Sequence, residues 1–377
     1  MSIHRPVSFL VSALGFVATV AAMPASAGME LVYGSWLPAR EYQNFNVMPG
    51  VIKEIEEETK GEIKWKLIPG GQIADGKGTF NAVQNNLMQA GIAIASYVPS
   101  AVPSVYVIYS TVIPGDDVVA ASGAALETMT LHCPSCIADS KKIHSVLLAG
   151  WVAAPYQLLC REPIRTVADI KGKRIRATGG TGDELKTAGA AVVAGTLVEA
   201  ISLLQRGGLD CVLGNTDWLR TFGYADFTKY VNDHSFGMVG PAVGFFMNRE
   251  TWNKFTPAQK RVHLRAAARM TAETSIGSFI VSNETSLQGA IKKKGVHVIK
   301  AGKDFEQLTA GYLKTQRAHI VTQGRKLGVS DPGAIVDAYF KAYEKWKPLS
   351  KKIGRDPKKF EDAIMREIYS KVDLNKL

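Results

Sequence analysis

Pro163-Ile-Arg-Thr-Val-Ala-Asp-Ile-Lys-Gly-Lys-Arg-Ile-Arg176 is the stretch whose reading decides the fold. Val167 to Gly172 is one short helical turn closed by glycine, and Lys173 to Ala177 follows as a strand. Gly179-Gly180-Thr181-Gly182 reads as a loop and Asp183 to Ala188 as a helix. After Ala188-Gly189-Ala190 comes a second amphipathic helix, Glu199-Ala-Ile-Ser-Leu-Leu-Gln-Arg-Gly-Gly-Leu-Asp210. The short strand opens a lobe and carries Arg176, while the strand, helix, strand order that starts an α/β lobe is read from Glu30 to Ile68. Open α/β sheets place ligands at strand ends, and the buried strand Gly91 to Tyr97 delivers its end to such a loop. The glycine cluster lacks the third glycine of a dinucleotide fingerprint and the Gly-Lys-Ser/Thr of a P-loop, so a tight turn is the better reading.

Working outward, Glu30 to Trp36 is a short strand and Val51 to Lys60 an acidic amphipathic helix ended by Gly61. Ile63, Trp65 and Leu67 alternate with charged neighbours, as in a half-buried strand. Phe80 to Gln89 is predicted as a helix, Gly91 to Tyr97 as a buried strand and Ser122 to Leu131 as a helix. The apolar run Ser145 to Leu159 is suited to carry the chain into a second lobe, and Val239 to Asn248 to return it. Thr256-Pro257-Ala258-Gln259 is a helix start with a threonine cap, proline in the first turn and a glutamine closing the capping box. Helical pattern runs on to Lys294, before Gly295, of order 55 Å at 1.5 Å per residue, long enough to lie along both lobes. Gly277 is the expected bend. Further helices are predicted from Phe305 to Leu327, Pro332 to Trp346 and Lys358 to Val372.

The expected organisation is therefore α/β and two-lobed, periplasmic-binding-protein-like, with mixed sheets, a long helix along both lobes and C-terminal helices. Residues 28–150 with about 242–280 form lobe I, residues 151–241 with about 281–330 form lobe II, and 331–377 pack on the lobes as helices. Residues 1–27 read as an export signal: His4 and Arg5, an apolar run from Val7 to Ala22, and the small-x-small site Ala25-Ser26-Ala27. The mature chain would then hold 377 − 27 = 350 residues and, with Arg5 removed, a formal charge of +11 − 1 = +10. Such a charge favours anionic partners. The basic residues are scattered, with short clusters only at Lys292-Lys293-Lys294 and Lys351-Lys352 and no interleaved aromatics, so nucleic acid is not the expected partner. A small acidic ligand fits better.

Cys133, Cys136, Cys160 and Cys211 allow three pairings, and an exported chain is expected to form at least one disulfide. Cys133-Pro134-Ser135-Cys136 leaves open a redox dithiol, which would make this a secreted thiol–disulfide protein. No HExxH, no GxSxG and no cysteine with a histidine partner is present, so neither a catalytic residue, a metal nor a cofactor is expected. A hydrolase on a two-lobed scaffold is the other alternative.

Several segments together resemble the extracytoplasmic solute receptors of tripartite ATP-independent periplasmic (TRAP) transporters, the dicarboxylate-binding type. They are Glu58-Thr59-Lys60-Gly61-Glu62-Ile63, Pro69-Gly70-Gly71-Gln72-Ile73, Tyr97 before Pro99, Ala168 to Arg176, and Gln205-Arg206-Gly207-Gly208-Leu209-Asp210. The resemblance implies that Arg176 forms a two-pronged salt bridge with a ligand carboxylate in a cleft between the lobes. It also implies a periplasmic location, small and large integral-membrane subunits as partners, and no ATP. A guanidinium presents a planar fork that matches a carboxylate, which a lysine does not. Arg174 is expected to point to the opposite face and to serve as the internal control. Trp36, Tyr97, Trp151, Tyr156, Trp218 and Phe246 are candidate cleft walls, with ordinary core packing the alternative for each. Asn215 is a further candidate, one place later than the family's Asp-Gly-x-x-Asn pattern. Where some relatives carry a second basic residue, this chain reads Ala154-Pro155-Tyr156-Gln157. One arginine among many rings favours an organic monoacid or aromatic acid over a small dicarboxylate.

Overall fold

In a computed structural model, which describes residues 1–3 and 28–377, the strands fall into two sheets. The expected export signal thus lies, but for three residues, outside the described residues. The first sheet is built from β1 (Met29–Gly34), β2 (Ile63–Ile68), β3 (Ala90–Ile94), β4 (Ser145–Leu147), β5 (Gly150–Trp151) and β11 (Ala242–Asn248). Its order is β2-β1-β3-β11-β4, with β5 also paired to β11. The second is built from β6 (Gln157–Cys160), β7 (Arg174–Arg176), β8 (Ala191–Val193), β9 (Cys211–Gly214), β10 (Tyr230–Asn232) and β12 (His297–Ile299). Its order is β12-β10-β6-β9-β7-β8. β1 runs parallel to β2 and β3, and β7 parallel to β8 and β9, while β6 and β11 run antiparallel to their neighbours. Both sheets are therefore mixed, and the class read from the sequence is the one observed.

The chain passes from the first sheet to the second between Trp151 and Gln157, back between Asn232 and Ala242, and to the second again between Asn248 and His297. In β2, Ile63 and Trp65 are buried and Lys64 and Lys66 exposed, as period-two alternation requires. Trp65 packs edge-on against Phe245 of β11.

The long helical run is present as Pro257–Glu273, a widened stretch Thr274–Ser282 and Asn283–Lys294. Thr256 and Gln259 form the reciprocal capping box. Gly277 has a packing role: a Cβ there would come within 2.1 Å of the Tyr42 ring. The later helices are Asp304–Lys326, Pro332–Ile353 and Pro357–Glu367. Pro332–Ile353 lies against Val118–Glu127, where Trp346 is buried and donates from Nε1 to Glu127 Oε2 at 2.7 Å. No helix among the described residues is long and apolar enough to cross a membrane.

The cysteines pair as Cys133–Cys136 and Cys160–Cys211. The first bridges the start of helix Pro134–Lys142 and the second joins facing residues of β6 and β9. One local expectation is corrected: the glycine cluster is not a loop but the opening of helix Gly179–Thr187. A Cβ on Gly180 would lie 2.2 Å from the Ser110 carbonyl, so a residue without one lets this helix start close against its neighbour.

Candidate ligand site between the two sheets

β7 ends at Arg176, and the chain then turns into helix Gly179–Thr187, so the arginine faces the gap between the sheets rather than the outer surface. Its Nε and Nη2 both donate to the Gly195 carbonyl, at 2.9 and 2.7 Å. Gly195 precedes Thr196, which caps helix Leu197–Gln205 through a capping box with Glu199, so the loop that holds the guanidinium is itself fixed. Arg176 is 2% exposed, and no carboxylate among the described residues lies within ion-pair reach of it. Burial works to lower its pKa and the neighbouring Tyr97, Tyr224, Tyr109 and Tyr156, when ionised, to raise it; with those phenols neutral the guanidinium still keeps its proton, as arginine does in proteins. The result is a fully buried cation without a protein counter-charge. Such a charge is costly unless something pairs with it.

Arg174 corrects one expectation. Residues two apart on a strand share a face, so it does not point opposite to Arg176. The two differ because Arg174 stands at the other end of β7, where it pairs with Asp210 at 2.8 Å and stays half-exposed.

Arg176 borders a cavity of about 70 Å³. That is several times the roughly 10–15 Å³ that seats one water. Of the rings read from the sequence, Trp36, Tyr97, Trp151, Tyr156 and Trp218 all line it. Trp36 meets Tyr97 edge-on at 5.5 Å, Tyr156 meets Trp218 at 5.3 Å, and the Trp218 ring centre is 6.0 Å from the Arg176 guanidinium carbon. Burial raises the pKa of Tyr97, Tyr156 and Tyr224 above the ordinary phenol value, so these groups stay neutral hydrogen-bonding handles.

Phe246 does not line the cavity. A one-residue bulge in β11 shifts its pairing between Val243 and Phe246. Ala242 pairs with Ile94 on the cavity side, whereas Phe246 pairs with Gly91, whose alternation faces the other way, and packs on Phe80 at 5.3 Å. Asn215 is also outside the lining: it is fully buried at the end of β9, and neither side-chain polar atom has a protein partner.

The sequence reading missed Tyr109, Phe222, Phe279 and the polar residues Glu41, Gln43, Asp217 and Thr274, all of which line the cavity. One signal was available for Thr274. Thr271, Thr274, Ser275, Ser278 and Ser282 recur at helical spacing, a small polar stripe inside an otherwise buried helix. Glu41 accepts from the Gln43 amide at 2.5 Å and from Ser278 at 3.1 Å. Burial, reinforced by the nearby Asp217 charge, raises its pKa to about 7. Asp217 is tied to Arg220, Thr221, Ser282 and Ser286.

Contacts also cross the cleft mouth. The Leu197 amide donates to the Tyr97 hydroxyl at 3.2 Å, Tyr109 and Thr178 join at 3.2 Å, and Lys77 pairs with Glu199 at 2.6 Å. Arg40 donates to the Thr221 carbonyl at 2.7 Å, and Arg220 donates back to the Arg40 carbonyl at 2.9 Å. The cleft is closed in this structure.

Two mixed α/β sheets closed over an internal cavity define a two-lobed solute-binding protein. The family model described as bacterial extracellular solute-binding protein, family 7, matches residues 50–311, well over half of the chain, and the protein belongs to that family. Among solved structures, a marine metagenome TRAP solute-binding protein specific for aromatic acids, in complex with metahydroxyphenylacetate, is similar at a TM-score of 0.74 and 17% identity. That match covers 84% of this chain and 99% of the other. A TRAP periplasmic solute-binding protein from Bordetella bronchiseptica, with bound (R)- and (S)-mandelate, matches at 0.71 and 20% identity, over 84% of this chain and 99% of that one. A third, from Pseudomonas putida F1 with bound D-glucuronate, matches at 0.65 and 21% identity, over 80% and 97%. At these identities the likeness is one of fold.

Proposed function

We propose that this chain is the extracytoplasmic receptor of a TRAP transporter, acting in the periplasm and binding an organic acid anion without chemical turnover. The observation that carries the reading is Arg176, buried, charged and without a carboxylate partner at the edge of a ring-lined cavity. A ligand carboxylate supplies the missing charge and two acceptor oxygens for the guanidinium. Trp36, Tyr97, Tyr156 and Trp218 form the apolar walls, which favour a monoacid with an aromatic or otherwise flat apolar body. The aromatic acids and mandelate held by similar proteins agree with that class.

Capture proceeds by population shift. The acid binds an open form, contacts from both sheets favour the closed one, and the closed surface is what the small and large integral-membrane subunits recognise. Lobe boundaries near residues 150 and 242 are part of this reading, supported by the changes of sheet there. Binding needs no ATP and no cofactor. The thiol–disulfide alternative is disfavoured by the burial of Cys133 and Cys136, at 1% and 0% exposure.

Calorimetric titration with a panel of organic acids tests the reading. Saturable one-to-one uptake with no product formed is the expected result, and native mass spectrometry of protein purified without added ligand identifies any co-purified acid. Absence of binding to every acid, or turnover of a bound one, overturns it.

A further inference from the structure

Two residues that line the cavity from the side of the first sheet each carry a buried polar atom with nothing to bond to. Gln43 is fully buried and its Oε1 has no partner; Thr274 is 1% exposed and its Oγ1 has none either. Both residues line the cavity. The Gln43 amide is oriented by its other end. The Tyr33 hydroxyl donates to the Gly244 carbonyl, so towards Gln43 it can only accept, and Gln43 Nε2 must face it at 3.2 Å. The Gln43 carbonyl is thereby left as an unfilled acceptor. A buried acceptor left without a donor costs about as much as a hydrogen bond contributes, so a ligand that fills it gains the difference.

Charge on the cavity wall nearby is already neutralised or engaged. Glu41 accepts from the Gln43 backbone amide and Ser278, and Asp217 is paired with Arg220 at 2.8 Å. What remains open is a neutral pair: a carbonyl that only accepts and a threonine hydroxyl that donates or accepts. A hydroxyl group suits that pair, donating to Gln43 Oε1 and accepting from Thr274. An ammonium can donate to both atoms, but it leaves the threonine proton without an acceptor and adds a charge to be desolvated.

We propose that the acid taken by this site carries a hydroxyl group on the end remote from its carboxylate, recognised by Gln43 and Thr274. The proposal rests on the reading of Arg176 as the carboxylate anchor: Arg176 stands on the second sheet, whereas Gln43 follows β1 and Thr274 follows the helix Pro257–Glu273, which contacts β5 and β11 of the first sheet.

The test is titration of the wild-type protein with matched sets of monocarboxylates, aromatic and aliphatic. Each parent acid is set against its hydroxylated and its aminated counterparts. At least one hydroxylated acid is expected to bind roughly 10- to 100-fold tighter than its parent. Gln43→Met and Thr274→Val, checked for folding by circular dichroism, are each expected to collapse that ratio to within about threefold. Equal binding of parent and hydroxylated acids by the wild type overturns the proposal while leaving the receptor reading intact, since it would mean that the two atoms take no part in recognition. Tighter binding of the aminated acids overturns it as well, in favour of a cationic group near Glu41. If no acid in any set binds, the anchor reading fails and this proposal falls with it.

Discussion

Arg220 and Arg176 border the same cleft, and their surroundings differ in one decisive respect. Arg220, on helix Trp218–Thr221, has every nitrogen engaged: Asp217 at 2.8 Å, Ser286 at 3.1 Å, Ser282 at 3.1 Å and the Arg40 carbonyl at 2.9 Å. Its charge is matched and its side chain is 39% exposed to water. Arg176 has less access to water and no matching carboxylate, only the Gly195 carbonyl. A protein fold tolerates the first arrangement on its own terms, as a fastening. The second leaves a buried charge unmatched, which is what the anchor role proposed for Arg176 requires.

The largest effect that can break this comparison is on ligand affinity. Arg176→Ala is expected to cost about 2–5 kcal/mol, on the order of 30- to several-thousand-fold, in the dissociation constant of whichever acid the wild type binds. Without ligand its melting temperature should stay close to that of the wild type, because the substitution removes an unpaired buried charge along with its bonds. Calorimetry and thermal melts with and without acid read both. A large loss of unliganded stability with affinity retained would make Arg176 a fastening like Arg220.

Next comes Glu41, whose pKa is raised to about 7 by burial. Below its ordinary pKa of 4.5 the carboxyl is protonated folded or unfolded and carries no penalty. As pH rises from there through 7, the unfolded chain ionises first and the folded protein loses stability relative to it. The loss is up to roughly 3 kcal/mol at 1.36 kcal/mol per pKa unit. Melting temperatures at pH 5 to 8 should therefore fall further for wild type than for Glu41→Gln, with the gap levelling above pH 7. Parallel curves would show that Glu41 is solvated.

Asp217→Ala sharpens the other half of the comparison. Loss of the acceptor for Ser282, Ser286, Thr221 and Arg220 should destabilise the protein by about 1–2 kcal/mol, since the arginine left behind is partly in water. Acid-induced stabilisation should survive in this variant, whereas it vanishes in Arg176→Ala. The smallest effect is expected for Arg174→Ala, with affinity within about twofold of wild type, because that side chain is spent on Asp210 at the far end of β7.

Much of this was legible in the residues because it is local. The alternation of Ile63, Trp65 and Leu67 gave a strand with those bounds, and the Thr256–Gln259 box gave the helix start at Pro257. Arg176 was legible as the end of a short strand, whereas the anchor role proposed for it came from the resemblance to the family. Five rings named from the sequence reached the cavity wall. Phe246 did not, since a bulge in β11 is set by its pairing with β3 and leaves no mark in the spacing of β11 itself. Arg174 was placed on the wrong face by an error of parity, and its exposure comes from its position along the strand.

From the sequence alone came the α/β class and the changes of sheet near Trp151 and Ala242, because each depends on periodicity and turn chemistry within a few residues. Only the tertiary structure decided the cysteine pairing, the inward turn of Glu41, Gln43 and Thr274, and the absence of a counter-charge for Arg176. Those follow from segments far apart in the chain, more than 200 residues for Glu41 and Ser278, meeting in one desolvated space where an unmatched charge or carbonyl has a cost that it would not have in water.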